Sequence, residues 1–162
     1  DTLGELDFDA LILPATGGDL RQVSALLAYF DIDPSVVQFI GTFGWNDPGL
    51  FTEPALKGGI FAAPNPENWE LFADRFARTF GDQPPRISSL AYDSTALAAL
   101  MARDENNMSE AALTNTSGFV GVDGVFRLTP DGRSERGYAI MQIGPEGAKV
   151  IAPAPASFDQ VF

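Results

Sequence analysis

The sequence predicts an α/β fold: a mainly parallel sheet flanked by helices, closed by a C-terminal β-hairpin. Three observations predict it. Short apolar runs alternate with stretches in which apolar residues recur at helical spacing. Strand, helix and strand follow one another between Phe8 and Gly41, the pattern of a right-handed parallel βαβ unit. After Gly118 the chain becomes glycine-punctuated, with Pro-Asp-Gly and Gly-Pro-Glu-Gly turns between short apolar segments.

The elements are expected in this order. Phe8 to Leu13 is an apolar run ending at Pro14 and reads as a buried strand. Thr16-Gly17-Gly18 is the turn after it. Leu20, Val23, Leu27 and Phe30 mark a helix over 19–30 packed on the sheet, broken at Asp33-Pro34. Val36 to Gly41 is the second strand, followed by the loop Thr42-Phe43-Gly44-Trp45. Residues 59–63 form the third strand. Asn65 caps the next helix, 66–80, with Pro66 in its first turn and Gly81 at its end. Its stripe Trp69, Phe72, Phe76, Phe80 reads as core, and leaves apolar surface uncovered if the strands it needs lie elsewhere. Ser88 or Ser89 caps an alanine- and leucine-rich helix over 89–103. Ser109 caps a short helix through Leu113. Strands over 125–128 and 138–143 are separated by the turn Thr129-Pro130-Asp131-Gly132. The turn Gly144-Pro145-Glu146-Gly147 precedes Val150-Ile151, and 153–162 is an extended tail.

Composition narrows function. The 162 residues suit one domain or part of a two-lobed one, and 45% hydrophobic residues supply a core. Ten basic against 22 acidic residues give a formal charge of −12, which repels nucleic acid and anionic lipid. Residues 1–50 hold eight acids and a single base, Arg21, read as a solvated face. The chain contains no cysteine and no histidine. That removes Cys/His zinc sites, thiol nucleophiles, the Ser-His-Asp triad and the ordinary proton shuttle near neutrality. No enzymatic activity, catalytic residue, cofactor or metal is expected. No apolar run approaches the roughly 18 residues of a membrane span. The sequence begins at Asp1 without a visible signal peptide, so it is expected to start after processing or a cut.

Gly118-x-x-Gly121-x-x-Gly124 has the look of a phosphate loop, but it opens no helix and lacks a following Lys-Ser/Thr, so it reads as turns. Better candidates lie at strand ends, where α/β sheets hold ligands: Thr16, Gly17 and Gly18 at a helix N-terminus, fit for an anion, and Thr42 with Trp45 as an apolar wall.

The order of elements resembles the later half of type I periplasmic binding proteins of the leucine/isoleucine/valine-binding type. FDALILPATGGDLRQVSALLAYFDI is similar to their strand, ligand loop and helix, VVQFIGT to the next strand, and ALKGGIFAAP to the strand that crosses between lobes. AYDSTALAAL resembles their Tyr-Asp helix and GVDGVFRLTPDGRSERGYAIMQI their closing hairpin. The resemblance implies one lobe from 1–62 and about 120–152, and another from about 64–118, neither complete. It implies an extracytoplasmic domain, periplasmic or anchored to the outer membrane, binding a small polar solute for an uptake transporter through Thr16, Gly17, Gly18, Thr42, Trp45 and Tyr92. It also leaves open the lipoprotein activators of penicillin-binding proteins, which share the glycine-rich segment before Asp-Gly-Arg and touch a peptidoglycan synthase. Partners are then a solute or a membrane-associated protein (transporter or synthase), together with the missing part of the chain or another copy. One departure stands out: amino-acid-binding members carry an acid after the second strand, and Gly41-Thr42-Phe43-Gly44 offers none.

Overall fold

The computed structural model describes residues 6–103 and 109–158. The chain divides into two compact units, which are described separately. The first takes the chain up to Ala63 and returns for Ala139–Ala152; the second takes Pro64–Tyr138 and the residues from Pro153 onward.

The first unit is built on a five-stranded sheet. Strand β1 (Ala10–Leu13) leads into helix α1 (Gly17–Tyr29) and strand β2 (Gln38–Gly41). Two 3-10 turns, Phe43–Trp45 and Pro54–Leu56, precede strand β3 (Ile60–Ala63). The chain later returns through strands β7 (Ala139–Gly144) and β8 (Gly147–Ala152). The sheet order is β1-β2-β3-β7-β8. β1, β2 and β3 pair in parallel, with Leu13 opposite Gly41 and Gly41 opposite Phe61. β7 runs antiparallel to β3, and β8 antiparallel to β7. Four of the five strands therefore share one direction, and β7–β8 is the C-terminal hairpin that the Gly144–Gly147 turn predicts. The expected strands over 8–13, 36–41 and 59–63 start up to two residues late.

One side chain organises this unit. Trp45 is fully buried, and its indole Nε1 donates to the Leu13 carbonyl at 3.2 Å. A Cβ on Gly41 would lie 2.1 Å from the Trp45 ring, and one on Gly59 2.8 Å from it, so both neighbouring strands must carry glycine there. Phe61 packs against Trp45 on one side and Phe51 on the other, with centroids 6.5 and 6.1 Å away. Gly58, at φ +93°, turns its carbonyl to Gln38 Nε2 and Gln142 Nε2, both at 3.2 Å, and so fastens β2 and β7 to the entry of β3.

Helix α1 buries Leu20 and Ser24 but leaves Val23, Leu26, Tyr29 and Phe30 exposed. The expected face of Leu20, Val23, Leu27 and Phe30 is therefore only partly used, and α1 keeps an uncovered apolar side. Ile12 of β1 is 69% exposed although the strand reads as buried.

The second unit holds helices α2 (Pro66–Phe80), α3 (Ser88–Met101) and α4 (Glu110–Leu113) with strands β4 (Phe119–Gly121), β5 (Gly124–Leu128) and β6 (Ser134–Arg136). The three strands form a separate antiparallel sheet. Asn65 Oδ1 accepts from the Glu67 amide at 3.2 Å, and Gly81 ends α2 at φ +80°, as its sequence predicts. Ser109 caps α4 by accepting from the Ala112 amide. The expected serine cap of α3 is absent: Ile87 holds the N-cap position, Ser88 Oγ donates to the Pro85 carbonyl, and Ser89 Oγ is directed to Asp123. On α2, Phe72 is buried while Leu71 and Phe80 are exposed, and Ile87 and Val120 are exposed elsewhere in the unit.

Two expectations need correction. The Pro-Asp-Gly turn joins β5 to β6, not to 138–143; those residues leave as β7 for the other sheet. Residues 120–138 fall in the second compact unit. The tail is also not a free extension where it is described. Phe158 lies beneath the Arg127 guanidinium, 4.5 Å from its carbon to the ring centroid. Residues 159–162 of the expected tail, and the acids Asp1 and Glu5, fall outside the described residues.

Because Trp45 is wholly enclosed, Trp45→Ala should lower stability by about 3–5 kcal/mol. Urea unfolding followed by far-ultraviolet circular dichroism measures this; a loss below about 1 kcal/mol would remove Trp45 from the centre of the unit.

Candidate functional site

The carboxyl ends of β1 and β2 lie side by side in the first unit because the two strands pair in parallel through Leu13 and Gly41. Thr16 ends the loop after β1 as the N-cap residue of α1 and is exposed. Its hydroxyl makes no cap hydrogen bond, so the first amides of the helix keep no side-chain acceptor. Gly17 adopts φ +52°, a conformation open to glycine at little cost. Neither Gly17 nor Gly18 has any heavy atom within 4 Å of where a Cβ would stand, so space lies open above the helix start.

Thr42 is exposed beside this loop, and its Oγ1 accepts from the Gly44 amide at 3.3 Å. The two loops touch through Gly44, where a Cβ would come within 2.2 Å of Thr16 Cγ2. The structure thus gathers Thr16, Gly17, Gly18 and Thr42 on one surface. Trp45 does not join them. It lies beneath the loop with its indole N–H already bonded, so the expected apolar wall of a ligand cleft is a core residue instead. Tyr92 belongs to α3 in the second unit, half-exposed and tilted against Phe72, with ring centroids 5.2 Å apart.

No carboxylate stands in the segment Gly41–Gly44. The next acid, Asp47, accepts from the Gly49 amide at 2.8 Å. Arg21 of α1 is likewise engaged, donating to Glu53 at 2.7 Å and to the Gly49 carbonyl at 2.8 Å. Between them, Thr16–Gly18 and Gly41–Gly44 present hydroxyls and backbone amides, which can hold an anionic or neutral polar group, with the exposed carboxylate of Asp19 in the first turn of α1 beside them.

The second unit contains a group of buried charges. Asp93 of α3 reaches off its own helix: its Oδ1 accepts from the Val122 amide at 2.8 Å, across to the turn between β4 and β5. Burial pushes its carboxyl above the ordinary value, Asp123 adds to the shift, and the Val122 amide and Arg136 oppose it. Asp123, also buried, receives Arg86 Nη2 at 2.7 Å, Arg86 Nη1 at 3.2 Å and Ser89 Oγ at 2.7 Å. The same guanidinium stacks on Trp69 at 4.3 Å. Gly121 is fixed by this arrangement, because a Cβ there would fall 2.3 Å from Asp93 Oδ2. A cavity of about 400 Å³ adjoins, lined by Tyr92, Asp93, Leu97, Leu100, Val120 and Phe126. The signal available in the sequence was the glycine series itself, whose middle member is set by a carboxylate and not by a turn.

Among the described residues, no helix is long and apolar enough to cross a membrane. No group of three or more His, Cys, Asp or Glu side chains among them is placed to hold a metal ion.

No family model and no curated protein matches the chain. Solved structures do. A branched-chain amino acid ABC transport protein from Rhodospirillum rubrum superposes with a TM-score of 0.68 at 18% identity, covering 88% of this chain and 44% of its own. The leucine-binding protein LivK of Thermotoga maritima gives 0.58 at 18% identity, over 89% of this chain and 44% of its own. The C-domain of LpoA from Haemophilus influenzae, a regulator of PBP1A, gives 0.56 at 14% identity, over 89% of this chain and 45% of its own. The chain spans less than half the length of these structures. It has the α/β fold of the type I periplasmic binding proteins over that part of their length.

Proposed function

We propose that this chain is part of a non-catalytic extracytoplasmic binding domain that captures a small polar solute for an uptake transporter. The observation that carries the reading is the paired end of β1 and β2. There Thr16, Gly17, Gly18 and Thr42 present hydroxyls and unbonded helix amides on an open surface. Ligands of open α/β sheets gather at this end of the strands, and oriented amides favour a carboxylate or another oxygen-rich group. Tyr92, half-exposed on α3, is proposed as the ligand contact of the second unit. The solute-binding proteins of similar fold support the class of activity and the extracytoplasmic location.

A second reading, activation of a peptidoglycan synthase by protein contact, draws support from the fold shared with the LpoA C-domain. The exposed Leu71, Phe80, Ile87 and Val120 are the kind of surface such a contact would use.

The segment after β2, Gly41–Gly44, carries no carboxylate for an ammonium group. Leucine, isoleucine and valine should therefore bind the full-length protein with dissociation constants no tighter than about 10 μM, or roughly −7 kcal/mol. Titration calorimetry measures this, and micromolar or tighter binding of any of the three would overturn the reading of the site.

For a solute that does bind, Thr16→Ala or Tyr92→Ala should weaken affinity about tenfold, near 1.4 kcal/mol. Unchanged affinity in both variants would remove these residues from the site. Binding of a purified peptidoglycan synthase, with no response to any solute of a carboxylate and polyol panel, would favour the second reading.

A further inference from the structure

The two buried carboxylates of the second unit face each other across the Val122–Asp123 turn, but they are served unequally. Asp123 receives side-chain donors on both oxygens, from Arg86 and Ser89. Asp93 receives the Val122 amide on Oδ1, while its Oδ2 is buried without any hydrogen bond. The facing cation is Arg136 Nη1 on β6, 3.9 Å away and itself buried without a hydrogen-bond partner. Arg86, the other nearby cation, is committed to Asp123. The charged groups turned toward Asp93 are thus one arginine too distant for a hydrogen bond and one like-charged carboxylate.

From this geometry we propose that Asp93 is a proton-operated fastener between α3 and the β4–β5 turn, closing more firmly when Oδ2 carries a proton. Protonation at Oδ2 displaces no hydrogen bond, since the Val122 amide is held by Oδ1; it gives up only the 3.9 Å ion pair with Arg136. It removes a buried charge whose second oxygen has no donor, a costly arrangement. Gly121 leaves the room that the carboxyl needs, for any side chain there would strike Oδ2. The chain has no histidine, so a buried carboxyl is the group able to respond under mild acid.

The sign follows from the raised carboxyl of Asp93. The folded form retains a proton that the unfolded chain has released, so the contribution is full below the ordinary value of 3.8 and is lost as pH rises through the higher folded value. Mild acid therefore tightens this contact, opposite to the usual acid loosening of paired carboxylates.

Amide hydrogen exchange at Val122 in the intact chain tests the proposal. After correction for intrinsic exchange, protection should be about threefold higher at mildly acidic than at neutral pH. In Asp93→Asn, which keeps the Oδ1 acceptor without the charge, protection should no longer vary with pH. A wild-type protection that is constant or greater at neutral pH overturns the proposal, and so does an unchanged pH dependence in Asp93→Asn. Carbon NMR titration of the Asp93 carboxyl in the unaltered chain provides a check that needs no variant. A midpoint above the ordinary aspartate range is expected, and one at or below it overturns the proposal.

Discussion

The first unit depends on the enclosure of one indole ring. Trp45 bonds to β1 through the Leu13 carbonyl and covers β2 and β3 at Gly41 and Gly59, where no side chain fits. Its position forces the backbone after β2 into a 3-10 turn at once, and that turn sets Thr42 at the surface and Gly44 against Thr16. The polar surface at the strand ends is therefore a consequence of an apolar packing decision beneath it. A buried indole needs a hydrogen-bond partner, and the carbonyl that supplies one belongs to the last residue of the strand leading into the loop.

The alternation of strands and helices was legible because it rests on local rules. The Asn65 cap, the Gly81 stop and the parallel βαβ unit need only neighbouring residues to be recognised. The errors arose where distant residues decide. Trp45 sits in a loop by sequence, and nothing local shows that two glycines, one of them 14 residues on, have made room for it. Ser89 is a sound N-cap by position, but its hydroxyl is claimed by Asp123 from 34 residues away. The hairpin was placed one strand too far because residues 134–136 are polar and charged. They form β6 through pairing with β5 and the Arg127–Glu135 ion pair, not through an apolar pattern.

The two units handle polarity in opposite ways. At the strand ends of the first, hydroxyls and amides stand in solvent with few partners, a surface that water covers cheaply and a solute can replace. In the second, charges are drawn inside: Asp123 is hydrogen-bonded to Arg86, which lies over Trp69, and Asp93 faces Arg136, which lies over Phe126, at 3.9 Å. Buried pairs of this kind contribute little net stability but penalise any rearrangement that separates them. The register of α3 on its turn is thereby fixed more by the cost of breaking it than by the gain of making it.

The division of the chain has a consequence during synthesis. β3 ends at Ala63 and its partner begins at Ala139, paired directly across the sheet, with 75 residues (138 − 63) between them. At typical translation rates of about 5–20 residues per second, those residues take roughly 4–15 s to appear. For that interval the edge of β3 that later pairs with β7, carrying Ile60 and Phe61, is without its partner. Such an edge is a template for pairing with another nascent chain. The late arrival of β7 thus leaves this edge open to mispairing until the closing hairpin is made.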